Sequence, residues 1–275
     1  MTPPDNAFAE VTTWGATAAA GVTDSRGTLA TTGPAEKPFR WASVTKLLTT
    51  LAVLVAVEEG SVSLAQPAGP HGATLRHLLA HASGLAFDDA TVVAPPGTRR
   101  IYSNHGIEIA ARTVAASTGI GFADYLREAV LEPLALRATS VAGSPAWGAI
   151  GPLVDLLAIG RELLAPTIVS SALLQEATTI AFAGLDGILP GFGRQCPNDW
   201  GLGFEVRDHK HPHWTGTANS PQTFGHFGRS GAFLWVDPTI KLAGAGVADR
   251  DFGPWAAASW PALSDAIVAQ WGPRS

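Results

Sequence analysis

The 275-residue chain predicts an α+β fold. An antiparallel β-sheet is built from both chain termini and flanked by helices, with an all-helical subdomain inserted between its halves. Three observations carry this. Segments that read as strands lie near both ends, and helical periods fill the middle. After Gly184 the composition turns rich in Gly, Trp, Phe and His, and the helical period fades. One sheet fed from both termini, with the helices inserted, accounts for that order simply. The expected boundaries within a single domain are about 12–42 and 195–275 for the sheet and about 43–194 for the helices.

Trp14 to Val22 and Thr28 to Thr32 read as a hairpin around the turn Asp24-Ser25-Arg26-Gly27. A helix that is apolar almost all round, and so expected to be buried, begins at Ser43 and ends at Gly60, a natural C′ glycine. Ser61 to Gly72 is a loop, and Thr74 to His81 is a short amphipathic helix stopped by Ser83-Gly84. Ala86 to Arg100 is irregular and contains Pro95-Pro96-Gly97. Helical periods follow at Ile107 to Thr118, Phe122 to Leu131, Ile150 to Leu164 and Ile168 to Ala177. Trp200 to Arg207, Gly231 to Val236 and Ile240 to Val247 alternate like strands, with Asp237-Pro238 as the turn between the last two. Ala262 to Trp271 closes the chain as a helix.

Net charge is −5, and no basic stripe is present, which argues against nucleic acid or an anionic membrane as partner. No apolar run reaches the length of a membrane span. The N-terminal residues lack the basic and apolar regions of a signal peptide, so the expected location is cytoplasmic. Cys196 is the only cysteine, which leaves no internal disulfide and no cysteine metal site. No cofactor is implied.

Chemistry concentrates in three stretches. In Trp41-Ala42-Ser43-Val44-Thr45-Lys46, a serine and a lysine three residues apart share a helix face in the first turn. Burial lowers a lysine's pKa, and a neutral amine beside a hydroxyl is a base beside a nucleophile. The bland alternative is a serine N-cap followed by a snorkelling lysine. In Tyr102-Ser103-Asn104, the phenol could relay a proton near Lys46 and the amide could bind a substrate carbonyl; the bland alternative is Asn104 as an N-cap over a packed tyrosine. In Gly225-His226-Phe227-Gly228-Arg229-Ser230-Gly231, a strand would flank the site, a backbone N–H would complete an oxyanion hole and His226 would face the substrate. The bland alternative there is a Gly-rich strand edge or bulge.

Together the three stretches resemble the signature of the β-lactamase-like serine hydrolases: class C β-lactamases, penicillin-binding-protein-like enzymes and esterases. The resemblance extends to Arg76–Leu85, Pro96–Asn104, Tyr125–Leu134, Trp200–Phe204, Phe224–Gly231 and Leu234–Pro238, so it covers about residues 12 to 271. It implies the serine β-lactamase/transpeptidase-like fold, with Ser43 as the acylated nucleophile and Lys46 and Tyr102 as the acid/base pair. Asn104, His226, Gly228 and Arg229 would bind substrate, and the backbone N–H groups of Ser43 and Arg229 would form the oxyanion hole. Many members carry Lys-Thr-Gly or His-Thr-Gly where this chain has His226-Phe227-Gly228. A threonine hydroxyl is replaced, and a permanent cation becomes an imidazole expected to titrate near pH ~6.5.

A rival constellation is His209, His211 and His213, which would share one face of an extended segment and could hold a metal, with His77 and His81 as a further i, i+4 pair. The polar run with Pro212 reads instead as a solvated loop, and no metal is expected. The expected activity is acyl-enzyme hydrolysis of small ester, amide or β-lactam carbonyls, with esterase activity favoured. The alternatives are a D-amino-acid peptidase and a ligand-binding protein that has kept the fold without turnover.

Overall fold

The computed structural model describes residues 7–273. A 3₁₀ turn at Ala9–Thr13 leads into β1 (Ala18–Thr23) and β2 (Thr28–Thr32). β3 (Phe39–Arg40) runs through a second 3₁₀ turn, Ala42–Val44, into α1 (Thr45–Glu58). The helical region continues with α2 (Leu75–Leu79), α3 (Asn104–Thr118) and α4 (Phe122–Leu126), the last extended by a π-helical turn at Arg127–Leu131. Then come β4 (Ser140–Val141), β5 (Ala149–Gly151), α5 (Leu153–Leu164), α6 (Ser171–Thr178), β6 (Gly187–Leu189) and β7 (Gly193–Gln195). β8 (Glu205–Val206), β9 (Phe224–Gly228), β10 (Ala232–Asp237), β11 (Leu242–Ala248) and α7 (Pro254–Trp271) complete the chain.

The main sheet has the order β2-β1-β11-β10-β9-β8, and each neighbouring pair within it is antiparallel. The N-terminal hairpin is joined to the C-terminal strands by β1 against β11, with Ala20 opposite Gly246. The predicted α+β architecture, with strands from both termini in one sheet, is therefore the observed one, but the inserted region is not all-helical: β4 and β5 join β3 in a small second sheet, and β6 pairs with β7. Asp24 sets the hairpin turn: its Oδ1 accepts from the N–H groups of Arg26 at 2.8 Å and Gly27 at 3.1 Å.

The sheet is covered on both faces, and the alternation of β10 shows how. Ala232, Leu234 and Val236 enter the core shared with α1 and α5, whereas Phe233 and Trp235 enter the core beneath α7. β11 supplies the space those rings need. A Cβ at Gly244 would lie 2.4 Å from the Trp235 ring, and one at Gly246 would lie 2.5 Å from the Phe233 ring. α1 is the buried helix its composition predicts; Leu47, Leu48, Leu51 and Leu54 are wholly buried. Gly60 ends it with φ +75°. The N–H of Ser61 reaches Ala56 O and that of Gly60 reaches Val57 O, which satisfies the last carbonyls.

Some boundaries differ from expectation. Ser43 lies in the 3₁₀ turn before α1 rather than within an α-helix. Ile150 belongs to β5, paired with Arg40 and Ser140, so the helix there begins at Leu153. Of Trp200–Arg207 only Glu205–Val206 is strand. α7 begins at Pro254, eight residues earlier than predicted, because Pro254 suits a first helical position and the helix accommodates Pro261 inside it.

Candidate active site

The nucleophile turn is held between two elements. On one side, Trp41 N–H donates to Ala149 O at 2.9 Å, and its indole N–H donates to Gly151 O at 2.9 Å. On the other side lies β9. A Cβ at Gly228 would stand 2.1 Å from the Trp41 carbonyl oxygen, so only glycine lets the strand come this close to Ser43. Ser230 Oγ donates to Arg40 O at 2.6 Å and fastens the β9–β10 turn to the same segment.

Lys46 is wholly buried. Its Nζ lies 2.7 Å from Asn104 Oδ1, 2.9 Å from Ala146 O and 3.2 Å from Ser43 Oγ. The first two are acceptors only, so they take two N–H groups. A neutral amine has two hydrogens and one lone pair, and the lone pair is then left for the serine hydroxyl. Burial lowers the lysine pKa to about 7, against the pull of Asp88 and Glu108 in the other direction. Near neutral pH a substantial fraction of Lys46 is therefore amine.

Asn104 does not cap α3. Ser103 does so, accepting from Gly106 N–H at 3.0 Å. Asn104 occupies the first helical position, and its amide spans two groups: Oδ1 accepts from Lys46, and Nδ2 donates to Asp88 Oδ1 at 2.8 Å. Its carbonyl oxygen is engaged with the lysine and one Nδ2 hydrogen with Asp88, which leaves the second Nδ2 hydrogen as the donor for a substrate carbonyl.

Tyr102 is packed between aromatic rings. His81 lies 4.5 Å from it, Trp200 5.7 Å and Phe87 5.8 Å between ring centroids, and Lys46 Nζ sits 4.7 Å from its own centroid. Burial pushes the phenol well above its usual range, although a hydrogen bond with Ser43 opposes this. The Tyr102 hydroxyl is also 3.4 Å from His226 Nε2. His226 Nδ1 lies 2.7 Å from Phe227 O and must be protonated to bond it, which leaves Nε2 as an acceptor facing the phenol.

One expectation is overturned here. Burial, reinforced by Lys46, lowers the His226 pKa to about 3. The imidazole is held neutral through the physiological range and does not switch near neutrality.

Ser43, Tyr102, His226, Phe227 and Arg229 line one cavity of about 290 Å³, walled further by Phe87, Trp200 and Phe252. Arg229 is exposed, and among the described residues its guanidinium has no hydrogen-bond or ion-pair partner. Glu205 reaches the same cavity but is fully occupied: it pairs with Lys210, and its Oε2 meets His213 Nε2 and Trp214 Nε1 at 2.9 Å each. Burial would raise its pKa, but His213 and Lys210 outweigh it and hold the carboxyl well below the usual range.

The histidines considered for a metal are dispersed. His209 is exposed, while His213 is buried between Glu205 and Thr215. His77 joins Thr74 at the start of α2, while His81 lies beyond that helix with φ +53°. Among the described residues no group of three or more His, Cys, Asp or Glu side chains is arranged to hold a metal. No helix among them is long and apolar enough to cross a membrane.

Two contributors left no local signal. Ala146 acts through its backbone carbonyl, which no side-chain pattern reveals. Asp88 reaches Asn104 from an irregular loop 16 residues earlier.

The chain is 50% identical to a β-lactamase from Mycobacterium bovis of known structure, over 98% of this chain and 100% of that one, with a TM-score of 0.96. It shares its fold with EstCE1, a hydrolase with promiscuous acyltransferase activity, at 16% identity over 94% and 95% of the two chains and a TM-score of 0.77. It also shares its fold with a D-stereospecific amidohydrolase from Streptomyces sp., at 20% identity over 96% and 97% and a TM-score of 0.71. Comparison with curated proteins finds no match. The β-lactamase family profile matches residues 9–268, and the chain belongs to the β-lactamase family of serine hydrolases.

Proposed function

We propose that the protein hydrolyses small, uncharged carboxylic esters through an acyl-enzyme on Ser43, with esterase activity favoured over β-lactamase activity. The observation that carries this is the donor and acceptor balance at Lys46: two carbonyl acceptors and one serine hydroxyl around an amine with a pKa of about 7. Lys46 takes the Ser43 proton as Oγ bonds to the carbonyl carbon. The Tyr102 phenol, kept protonated by its raised pKa, gives its proton to the departing oxygen and is reprotonated from the Lys46 ammonium. The carbon–oxygen bond to the leaving group breaks, and the alcohol departs. Water then attacks the acyl-enzyme, giving one proton back to Ser43 and releasing the acid. The N–H groups of Ser43 and Arg229 would hold the oxyanion.

A neutral His226 beside Phe227 favours esters, because neither offers a cation or a hydroxyl to a substrate carboxylate. A β-lactam reading is supported by the unpartnered Arg229 guanidinium at the cavity and by the 50% identity to a β-lactamase from Mycobacterium bovis.

The test is reaction with a serine-reactive phosphonate followed by intact-mass measurement and peptide mapping. One adduct on Ser43, absent from Ser43→Ala, is the expected result. An enzyme that takes no label at Ser43 has kept the fold as a binding protein, and the reading is then wrong. Turnover of 4-nitrophenyl acetate against a chromogenic cephalosporin separates esterase from β-lactamase.

A further inference from the structure

The cavity has two aromatic walls that meet at His226. Among the described residues, the Tyr102 ring meets those of His81, Phe87, Trp200 and His226, and not those of Phe227 or Phe252. The second wall is a triangle of phenylalanines from three separate segments. Phe227 of β9 is 5.1 Å from Phe252, which precedes α7, and both are 5.7 Å from Phe192 in the β6–β7 turn. Trp260 backs the triangle at 5.4 Å from Phe252 and 5.9 Å from Phe227. The Pro190–Gly191 turn closes against it. Gly191 has φ +80°, and a Cβ there would lie 2.5 Å from the Phe252 ring. Phe227 and Phe252 both line the cavity.

We infer that this second wall is the acyl subsite, and that it selects carboxylic esters whose acyl group carries an aromatic ring or an apolar group of similar size. The inference rests on the Ser43 acyl-enzyme reading and extends it to a substrate class. The assignment to the acyl side follows from proton delivery. The leaving oxygen must meet the Tyr102 hydroxyl, so the leaving group lies along the Tyr102 wall. The acyl group, bonded to the same carbon, is then directed to the other wall. Size agrees: a cavity of about 150 Å³ accommodates benzene, and this one is about 290 Å³, with room for a phenyl ring and the reacting ester. Chemistry agrees as well. Ring faces and edges reward an aromatic guest beyond its buried area, whereas the three phenylalanine rings themselves offer a carboxylate no hydrogen bond.

The experiment holds the leaving group constant. kcat/KM is measured for 4-nitrophenyl phenylacetate and 4-nitrophenyl acetate, each divided by its rate of hydroxide hydrolysis. The wild type should prefer phenylacetate by about tenfold to a hundredfold, the range that apolar pocket contacts give. Phe252→Ala, at a half-buried position, should bring that ratio close to one. Phe227→Thr should do the same, and the milder Phe252→Leu gives a second reading should either variant fold poorly. A wild-type ratio near one overturns the inference, as does a high ratio unchanged in all three variants. A preference that follows the alcohol instead, in a series of phenylacetate esters, overturns the acyl assignment. Ser43→Ala keeps the underlying reading separate. If it retains turnover of both esters, that reading fails; if it is inactive while the wild-type ratio is flat, only the acyl subsite fails. A wild type that hydrolyses neither ester refutes both.

Discussion

Asn104 accepts a hydrogen bond from Lys46 at 2.7 Å and, through the other end of the same amide, donates one to Asp88 at 2.8 Å. With a donor on one side and a carboxylate on the other, the amide has a single orientation. It occupies one Lys46 hydrogen and separates the lysine from a carboxylate that would otherwise hold it as ammonium.

The base must be neutral to accept the Ser43 proton. Below about pH 7 the amine is protonated, so kcat/KM should rise as pH increases through about 7. Lys46→Arg keeps a charge that cannot be given up at working pH and should be nearly as inactive as Lys46→Ala. Steady-state kinetics on both variants checks this; an active Lys46→Arg enzyme would mean that the lysine serves only as a cation.

Asn104→Asp replaces the neutral acceptor by an anion 2.7 Å from the amine. An opposite charge at that distance favours the ammonium and raises the lysine pKa by roughly 1–3 units. The alkaline rise in kcat/KM should move up by a similar amount, with reduced activity at neutral pH. A pH profile with an unmoved midpoint would show that a different group controls it.

His226 stays neutral until about pH 3. The ratio of kcat/KM for an anionic substrate to that for a neutral ester should therefore show no histidine titration between roughly pH 5.5 and 8.5, the range an ordinary imidazole would span. Arg229→Ala should lower turnover of the anionic substrate more than that of the ester, because guanidinium charge persists throughout this range. A sigmoidal change centred near pH ~6.5 would contradict the buried, neutral imidazole.

Gly228→Ala introduces a methyl group 2.1 Å from the Trp41 carbonyl oxygen, a backbone atom with little freedom to move. β9 must then retreat from the nucleophile turn. Overpacking of this kind costs about 1–3 kcal/mol of stability, and a displacement near 1 Å can cost about a hundredfold in rate. Chemical denaturation alongside kinetics would show a folded protein with a large loss of kcat; wild-type kcat would mean that the strand's approach is not needed.

Features with a local cause were legible in the sequence alone. Alternation in Ala232–Val236, the largely apolar character of Leu47–Leu54, the Asp24–Gly27 turn and the glycine stop at Gly60 each depend on neighbours a few residues away, and each is found in the structure. The fold class followed from their order along the chain. The three motif stretches were also legible, and the structure gathers Ser43, Tyr102, His226 and Arg229 around one cavity, with Lys46 and Asn104 hydrogen-bonded behind Ser43. Elements set by distant partners were not legible. Ile150 is strand because Arg40 and Ser140 pair with it, and α7 extends back to Pro254 through a proline that a local rule treats as a boundary. The state of His226 was equally a tertiary matter. An imidazole in sequence has its ordinary pKa; its neutrality here comes from removal of water and from the nearby Lys46, which only the packed chain supplies. The same holds for the Lys46 amine: its lowered pKa, the Ala146 carbonyl and the Asn104 bridge to Asp88 depend on contacts 58 and 100 residues away, and burial acts on charge only after those contacts have formed.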